Sequence, residues 1–569
     1  MPRSRSPHVR HSLALLLAAH LAGQGPLHEK IASEVDAAFE TPVSLEVRTG
    51  TAVRVDVAAN PFAIREFLLM PEASGSMWFD YGDGPTSKAA RVTGALEQLG
   101  YAPCAALAKW TRNGDVFTCT LTLTADRDAI TAASLRIDSG ELAWAKRLRT
   151  TGILKYPDPS EAERIAGFVR LWSEAKHNFA FFERRPELDW DRVLVEWLPR
   201  VQSATTASAY YRELEQCFAL LQDGHTEVFG PSDRPTAAPP IALAEVEGRI
   251  VVTAQLDASA LDDAALRDEL AAADLHIGDE LLAIDGEPVA KVLKDRIHPF
   301  LCASTPQHRS LLACPQLLRG EVGTKVRMTV RTGEQAERDV SLTRGYRSAR
   351  APRLTRPSGE VEAGIVYVAL DSFGSSKAAE AFEGLLPLLR RSKGLVLDVR
   401  NNSGGDTKHG NRVISWLTDK PLSGSHWRTR EYRPAFRAWG RPEGWHRGEH
   451  EKVLPADDPW LGPVVVLTGP STFSAAEDFL VVLKASGRAR LVGEATGGST
   501  GQPLVIEGLP LGGRARICTK WDTFPDGTEF VGVGVLPDVE VHPTIADLVA
   551  GRDTVFERGL AEMRAAIAK

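Results

Sequence analysis

Val464-Val-Val-Leu-Thr-Gly-Pro-Ser-Thr-Phe-Ser474-Ala-Ala-Glu477 places an apolar run directly before a tight turn and a segment of helical character. A near-continuous apolar run is typical of a parallel strand that is covered on both faces. The turn would lift the Ser474 hydroxyl to the end of the sheet, at a helix N-terminus where backbone N–H groups favour developing negative charge. Ser474 is therefore a candidate nucleophile. The Ser474-x-x-Glu477 spacing also fits a capping box, in which the hydroxyl only satisfies the helix end.

Strands and helices alternate on both sides of this stretch and predict an α/β domain over residues 359–545. Apolar runs predict strands at Gly364–Leu370 and Gly394–Val399, and apolar residues at helical spacing predict a helix at Ala378–Arg390. The last residues, 546–569, are predicted to form a C-terminal helix.

The strand at Gly394–Val399 runs into a polar, glycine-rich turn that ends in Gly404 and Gly405. Paired glycines allow main-chain N–H groups to approach a reacting carbonyl closely, as an oxyanion hole requires. Both glycines are therefore candidate oxyanion-hole residues. A phosphate-binding loop is less favoured, because no P-loop lysine with a following Ser or Thr is present.

A helical region is predicted at residues 156–230, with helical spacing over Glu163–Glu183 and Trp190–Leu221. It ends in the polar sequence Asp223-Gly-His225-Thr-Glu227. His225 is a candidate general base, because a serine hydroxyl is a poor nucleophile until a neighbouring base accepts its proton. A lone histidine in a turn can equally be a structural residue.

Residues 241–345 contain Leu275-His-Ile-Gly-Asp-Glu-Leu-Leu-Ala-Ile-Asp-Gly-Glu-Pro-Val289, a strand that runs into an Asp-Gly turn, and then Gly323-Thr-Lys-Val-Arg-Met-Thr-Val330. This pattern resembles a PDZ domain. The resemblance implies a PDZ-like β-rich insert, and PDZ domains capture extended peptides on a strand edge. A generic β-hairpin is the alternative.

The N-terminal part of the chain combines a leader with a β-rich region. Arginines precede the apolar run Leu13–Ala22, which predicts a signal peptide at residues 1–23 and an exported protein, periplasmic or extracellular. A disordered basic leader is the alternative. Short apolar runs bounded by Gly, Asn and Asp predict a β-rich N-terminal domain at residues 40–150.

Bulk composition excludes several classes of protein. A formal net charge of −7 without a dense Lys/Arg run disfavours nucleic acid as a partner. No stretch approaches the roughly 18 apolar residues of a membrane helix, so no membrane span is expected in the mature chain. Six cysteines are too few for a disulfide framework, although Cys104 with Cys119, or Cys302 with Cys314, could pair after export.

Taken in order, these motifs resemble one family, the C-terminal processing peptidases with their tricorn-core and interphotoreceptor-retinoid-binding-protein-like relatives. The resemblance implies a multidomain α/β protein whose catalytic domain is crotonase-like, of the ClpP/crotonase type. The matching pieces, within residues 160–545, are Leu220–Thr226, the PDZ-like insert, Asp398–Gly405, Ser471–Glu477, Val492–Gly498 and Gly532–Asp538.

The resemblance implies that Ser474 forms an acyl-enzyme on a peptide carbonyl, while the N–H of Ala475 and that of Gly404 or Gly405 hold the oxyanion. A Ser-Lys branch of the family has a lysine in a Gly-Lys-Gly turn, but the equivalent turn here, 497–501, has none. The tricorn-like branch has a histidine at the place of His225, which we therefore expect to be the base.

Two departures from the tricorn-like pattern concern the group that orients His225. That branch has a serine before the histidine and a glutamate near position 531, where this chain has Gly224 and Val531. Glu529 is the candidate for the orienting acid, because it is close in sequence to the expected glutamate. The alternatives are Glu494, Asp223 and Glu227.

The function that the resemblance implies is serine-type hydrolysis of peptide bonds in extended or unfolded polypeptides. Strand Gly364–Leu370 and the PDZ-like insert are the expected substrate platforms, and no metal or organic cofactor is expected. Two alternatives stay open: a catalytically silent protein that binds a hydrophobic ligand or peptide on the same scaffold, and a PDZ-led adaptor.

Overall fold

The computed structural model describes residues 158–230, 236–255, 264–345 and 356–569, together with seven strands between residues 40 and 138. The seven strands form two antiparallel sheets, with the orders β1-β6-β5 and β4-β3-β2-β7. The predicted leader, residues 1–23, lies outside the described residues. The strands are β1 (Glu40–Arg48), β2 (Val53–Ala59), β3 (Phe62–Pro71), β4 (Met77–Tyr81), β5 (Ala105–Asn113), β6 (Val116–Thr124) and β7 (Ala133–Asp138).

Three helices follow: α1 (Glu161–Asn178), α2 (Trp190–Ser203) and α3 (Ala207–Ala219). Helix α1 begins with a capping box between Ser160 and Glu163. The single helical stretch predicted at Trp190–Leu221 is two helices, because Thr206 caps a new helix start by accepting the Ala209 N–H. Helix α3 ends just before the turn that carries His225.

The middle unit is an antiparallel sheet with the order β10-β11-β12-β15-β16, whose apolar face packs on helices. Cys302 and Cys314 in this unit are free thiols, so the disulfide suggested between them is wrong. The elements are β9 (Thr236–Ala237), β10 (Ile241–Val246), β11 (Arg249–Gln255), α4 (Ala264–Ala272), β12 (Glu280–Ile284), β13 (Glu287–Pro288), α5 (Val289–Val292), α6 (Pro306–Ala313), β14 (Gly320–Glu321), β15 (Lys325–Arg331) and β16 (Arg338–Thr343).

The C-terminal part is built on a six-stranded sheet with the order β17-β18-β19-β22-β23-β27, in which β17 is antiparallel and the other five strands are parallel. Every residue of the two central strands is buried, which explains their apolar sequences. The strands are β17 (Gly359–Glu362), β18 (Ile365–Ala369), β19 (Gly394–Asp398), β22 (Val464–Thr468), β23 (Arg490–Gly493) and β27 (Val539–Glu540).

Helices cover both faces of this sheet. One face packs on the C-terminal helix through Phe556 and Met563, and the other packs on the helix that follows β22. The helix predicted at Ala378–Arg390 is interrupted at Leu385, two residues before Pro387. The helices are α7 (Lys377–Gly384), α8 (Leu386–Leu389), α9 (Thr407–Ser415), α10 (Pro434–Ala438), α11 (Ala475–Ala485), α12 (Ile545–Val549) and α13 (Thr554–Ile567).

Two small sheets have the orders β24-β25-β8 and β21-β20-β26, and the first of them joins two parts of the chain. Strand β8, directly after Thr226, pairs antiparallel with β25, which joins the end of the helical region to the C-terminal part of the chain. Within the described ranges, no helix is long and apolar enough to cross a membrane. The strands are β8 (Glu227–Phe229), β20 (His426–Glu431), β21 (Gly444–Glu449), β24 (Pro503–Ile506), β25 (Arg514–Cys518) and β26 (Lys520–Thr523).

Candidate active site

Ser474 lies in the sharp turn between β22 and α11. Its backbone has φ 58° and ψ −128°, a conformation that L-residues rarely adopt. A strained turn of this kind between a strand and a helix exposes a serine hydroxyl at the end of a sheet. The helix behind it is rigidly held, since its residues Ala475–Leu483 are all buried.

His225 lies opposite this hydroxyl. Its Nε2 is 3.0 Å from Ser474 Oγ, although the two residues are 249 positions apart in the chain. The turn that carries His225 is held between α3 and β8, and the side chain is buried, with 4% exposed. Nucleophile and base are therefore within hydrogen-bond distance.

The other imidazole nitrogen, Nδ1, is 2.8 Å from the hydroxyl of Ser499. Ser499 Oγ in turn donates to Asp223 Oδ1 over 3.0 Å. Ser499 donates its only hydroxyl proton to Asp223. Its Oγ must therefore accept the hydrogen bond from the Nδ1–H of His225. This places the proton on Nδ1 and leaves the Nε2 lone pair facing Ser474, as a general base requires.

Asp223 is almost fully buried, with 2% exposed, and burial raises its pKa. Four donors hold it: the hydroxyls of Ser499, Thr226 and Ser304 and the backbone N–H of His225, at 3.0, 2.6, 3.2 and 3.1 Å. Four donated hydrogen bonds suit an ionised carboxylate, which accepts only. The pair Ser499–Asp223 thus connects a buried acid to the base through one hydroxyl.

The environment of His225 strongly favours its neutral form. Burial is the largest cause, and together with the positive charges of Arg516 and Lys520 it lowers the pKa of His225 to about 3. A neutral imidazole at working pH can accept a proton from serine. The positive charge that follows must then be stabilised by its surroundings.

The glycine-rich turn after β19 packs directly against the nucleophile. A Cβ on Gly404 would lie 2.7 Å from Ser474 Cβ and 2.9 Å from Ala475 N, and the φ of Gly404 is 94°. The N–H of Gly404 donates to Asn402 Oδ1 over 2.9 Å. The N–H groups of Gly405 and Ala475 have no acceptor within the described residues, so these two are free for an oxyanion.

Glu477 joins the nucleophile to the turn that carries Ser499. It is fully buried and accepts the N–H groups of Ser474, Gly498 and Ser499 at 3.1, 2.7 and 3.0 Å. Burial raises its pKa to about 7. The carboxyl thus caps the start of α11, as the Ser-x-x-Glu spacing allowed, while the Ser474 hydroxyl faces His225.

The other candidate acids lie elsewhere. Glu529 is exposed, and its backbone pairs with Thr523, so the structure does not bring it to His225. Glu494 interacts with His542 at the surface, and Glu227 forms an ion pair with Arg516. Asp223 is the alternative that the structure brings toward the base.

Ser499 was not predicted from the sequence, because the turn at residues 497–501 was interpreted only as lacking the lysine of the Ser-Lys branch. A signal was nevertheless present. Ser499 occupies the middle of that turn, the place from which the Ser-Lys branch presents its base, and a hydroxyl there can hydrogen-bond an imidazole arriving from another element.

Residues 364–541 match the model of peptidase family S41. Similar curated proteins include the "Carboxyl-terminal-processing peptidase 3, chloroplastic" of Arabidopsis thaliana, 26% identical over 63% of this chain and 65% of the relative. The "C-terminal processing peptidase, chloroplastic" of Tetradesmus obliquus is 27% identical over 42% of this chain and 50% of the relative. The chain thus spans about half to two thirds of the length of these relatives.

Among solved structures, mature CPAF complexed with lactacystin superposes with a TM-score of 0.57 at 15% identity, covering 71% of this chain and 98% of that chain. This likeness supports the fold alone. The "Carboxyl-terminal-processing protease" of Picosynechococcus sp. is 26% identical over 59% of this chain and 74% of the relative. The α/β sheet with its strained serine turn, the family match and these relatives agree: residues 364–541 form a domain of peptidase family S41, and the chain is similar to C-terminal processing peptidases.

Proposed function

We propose that this chain is a serine-type peptidase that hydrolyses peptide bonds in extended or unfolded polypeptides, with Ser474 as nucleophile and His225 as general base. The observation that carries the proposal is the 3.0 Å contact between Ser474 Oγ and His225 Nε2, with Nδ1 held by Ser499 at 2.8 Å. This geometry supports the proposal, because it supplies a hydroxyl, a lone pair that can accept its proton and a group that can fix the tautomer.

In the first half-reaction, Ser474 Oγ attacks the scissile carbonyl carbon while its proton passes to His225 Nε2. The carbonyl oxygen becomes negative and is stabilised by the N–H groups of Ala475 and Gly405. Collapse breaks the C–N bond, and the leaving amine takes the proton from Nε2. The product of this step is an ester between the acyl group and Ser474.

In the second half-reaction, His225 Nε2 accepts a proton from water, and the resulting hydroxide attacks the ester carbon. The same two N–H groups stabilise the second tetrahedral intermediate. Ser474 Oγ then leaves with the proton from Nε2, which releases a carboxylic acid and restores the starting state. Ser499 and Asp223 hold the imidazole and support its positive charge in both halves.

Casein hydrolysis and labelling by a fluorophosphonate probe test this proposal in parallel. Ser474→Ala and His225→Ala should each lower proteolysis by at least about a thousandfold. Ser375→Ala, at an exposed serine, and His542→Ala, at a mostly exposed histidine, are the matched controls and should behave like the parent. Labelling mapped by mass spectrometry to any serine other than Ser474, or proteolysis that survives in Ser474→Ala, would contradict the assignment.

The catalytically silent binding protein is the second candidate function, and the geometry favours it less. A scaffold that only binds a hydrophobic ligand has no need of a strained φ of 58° at Ser474 or of a buried hydrogen-bonded base. Fluorophosphonate labelling separates the two candidates, because it reports an activated serine even where no protein substrate is cleaved.

We further propose that the catalytic domain is of the crotonase type and that residues 241–345 are a PDZ-like, peptide-binding unit. Its antiparallel sheet and helices α5 and α6 enclose a cavity of about 430 Å³, lined by apolar groups such as Leu281 and Val289 and by Arg249 and Arg309. Apolar walls with a few charged groups suit the end of an extended peptide.

Fluorescence polarisation with labelled peptides that carry a free or an amidated C-terminus tests this binding. Ala290 lines the cavity, so Ala290→Trp should abolish saturable binding by filling it. Val322→Trp, at an exposed position of the same unit, is the control and should bind like the parent. Equal affinity in the parent and in Ala290→Trp would contradict the assignment of this cavity.

Export is proposed from the basic residues and the apolar run Leu13–Ala22 at the start of the chain. Expression of the full chain followed by N-terminal sequencing tests this. A mature N-terminus near residue 24 in the exported fraction is expected, and an intact Met1 in the cytoplasmic fraction would contradict it.

A further inference from the structure

Phe473, the residue directly before the nucleophile, covers one face of the general base. Its ring and that of His225 are parallel, with 5° between the planes and 4.7 Å between the centroids. Two glycines make room for the ring: a Cβ on Gly224 would lie 2.8 Å from Phe473 Cζ, and one on Gly497 would lie 2.6 Å from Cδ2. The absence of side chains at these two glycines thus leaves space for the Phe473 ring to stack on the imidazole of His225.

A second imidazole, that of His308 on α6, also stacks on Phe473, with 4.5 Å between the centroids and 27° between the planes. The start of α6 is fixed to the catalytic part by Thr305, whose hydroxyl donates to Gly497 O over 2.9 Å. Burial lowers the pKa of His308 to about 4, so this ring is neutral at pH 7. Phe473 is therefore held by stacking contacts with two imidazoles, those of His225 and His308.

The charge that forms on His225 in each half-reaction has few groups to stabilise it. The residue is 4% exposed, and the carboxylate of Asp223 is connected to the imidazole through the hydroxyl of Ser499. The face of a phenyl ring carries partial negative charge and attracts a cation within about 6 Å of its centroid.

We propose that the π face of Phe473 stabilises the imidazolium form of His225 in the transition state, which makes Phe473 a positioning residue that acts through the base. This inference rests on the proposed function of His225 and adds a role for its neighbour. The proposed role depends on the electron density of the Phe473 ring face. A role in packing alone would require only a flat apolar ring.

Fluorinated phenylalanines separate the electronic role from packing, because fluorine withdraws charge from the ring face and is nearly the size of hydrogen. Position 473 is replaced in turn by 4-fluoro-, 3,5-difluoro- and 3,4,5-trifluorophenylalanine, and kcat and KM are measured for casein hydrolysis. We expect kcat to fall stepwise with each fluorine, by about five- to thirtyfold in the trifluoro protein, with KM unchanged.

The matched control is the same series at Phe479, a fully buried ring on α11 that packs against Phe373 and not against His225. That series should leave kcat at the parent value. A kcat that is flat across the series at position 473, or an equal fall in the series at position 479, would overturn the inference.

The pKa of His225, followed by ¹³Cε1 NMR in a Ser474→Ala background, distinguishes failure of this inference from failure of the proposed function. Fluorination at position 473 should lower this pKa stepwise, because a weaker π face destabilises the imidazolium. A falling pKa, together with neither casein cleavage nor fluorophosphonate labelling in the protein that retains Ser474, would remove the proposed function and leave the electronic role of Phe473 standing. An unchanged pKa would remove the role of Phe473 whatever the activity.

Discussion

Asp223→Asn removes one charge from the group that supports the base and leaves its shape almost unchanged. The carboxylate is two hydrogen bonds from the imidazole, so Oδ1 and Nδ1 are separated by at most the sum of 2.8 and 3.0 Å, which is 5.8 Å. At an effective dielectric constant of about 20, a unit charge at this distance stabilises the imidazolium by about 3 kcal/mol. Asp223→Asn should therefore lower kcat by about 100-fold. KM should change little, because a residue that is 2% exposed is not in contact with substrate.

The assay is initial-rate casein hydrolysis with kcat and KM determined separately, alongside thermal unfolding of each variant. Asp279→Asn is the matched control, because Asp279 is a fully buried aspartate in the middle unit and makes a salt bridge with Arg338. It should leave kcat unchanged. Ser499→Ala breaks the same connection and should lose about as much as Asp223→Asn, while Ser499→Thr keeps the hydroxyl and should restore most of the activity. A kcat above about a third of the parent value in Asp223→Asn, or an equal loss in Asp279→Asn, would refute the reasoning.

Three further outcomes are expected. Gly404→Ala should lower kcat by about 10²- to 10³-fold in steady-state kinetics, because the new Cβ would displace the turn that presents an oxyanion donor. The lowered pKa of His225, about 3, moves the acid limb of kcat/KM well below pH 6.5, so a pH profile should show no loss attributable to this base between pH 7 and pH 5. Arg400→Gln should lower the free energy of unfolding by about 3 to 5 kcal/mol in chemical denaturation, because it leaves the buried carboxylates of Asp398 and Asp553 without their cation.

The strands of the catalytic sheet were predictable from the sequence for a physical reason. A strand that is covered on both faces must be apolar along its whole length, so the predicted strand bounds at Gly364–Leu370 and Gly394–Val399 agree with β18 and β19 to within one residue. Helix breaks were less predictable. The break between α2 and α3 near Thr206 depends on one hydrogen bond, from the Ala209 N–H to the Thr206 hydroxyl. The spacing of apolar residues carries no information about this hydrogen bond.

The contact between Ser474 and His225 could not be predicted from the local sequence around either residue. Ser474 and His225 each stand in a recognisable turn, yet nothing local indicates that two residues 249 positions apart meet, and only the order of motifs in a resembling family suggested it. The acid that supports the base was harder still to predict. Tertiary packing determines which carboxylate lies near the base, and the sequence does not show this packing. In the structure Asp223 is connected to the base through Ser499, whereas Glu529, the acid expected from the sequence, is exposed.

The two departures from the tricorn-like pattern have a common physical consequence. A serine at position 224 would need a Cβ 2.8 Å from Phe473, so the ring that covers the base and a serine before the base exclude each other. The hydroxyl that holds Nδ1 must then come from another element, and Ser499 supplies it from the turn that Glu477 fixes to the nucleophile. The acid next to that hydroxyl is Asp223, on the same turn as the base, so His225 and its carboxylate move together as one rigid unit. Gly224→Ser should consequently lower kcat for casein hydrolysis rather than raise it. The further loss that Gly224→Ser causes in a Phe473→Ala background, measured against Phe473→Ala alone, should be smaller, because the serine then has room without displacing His225.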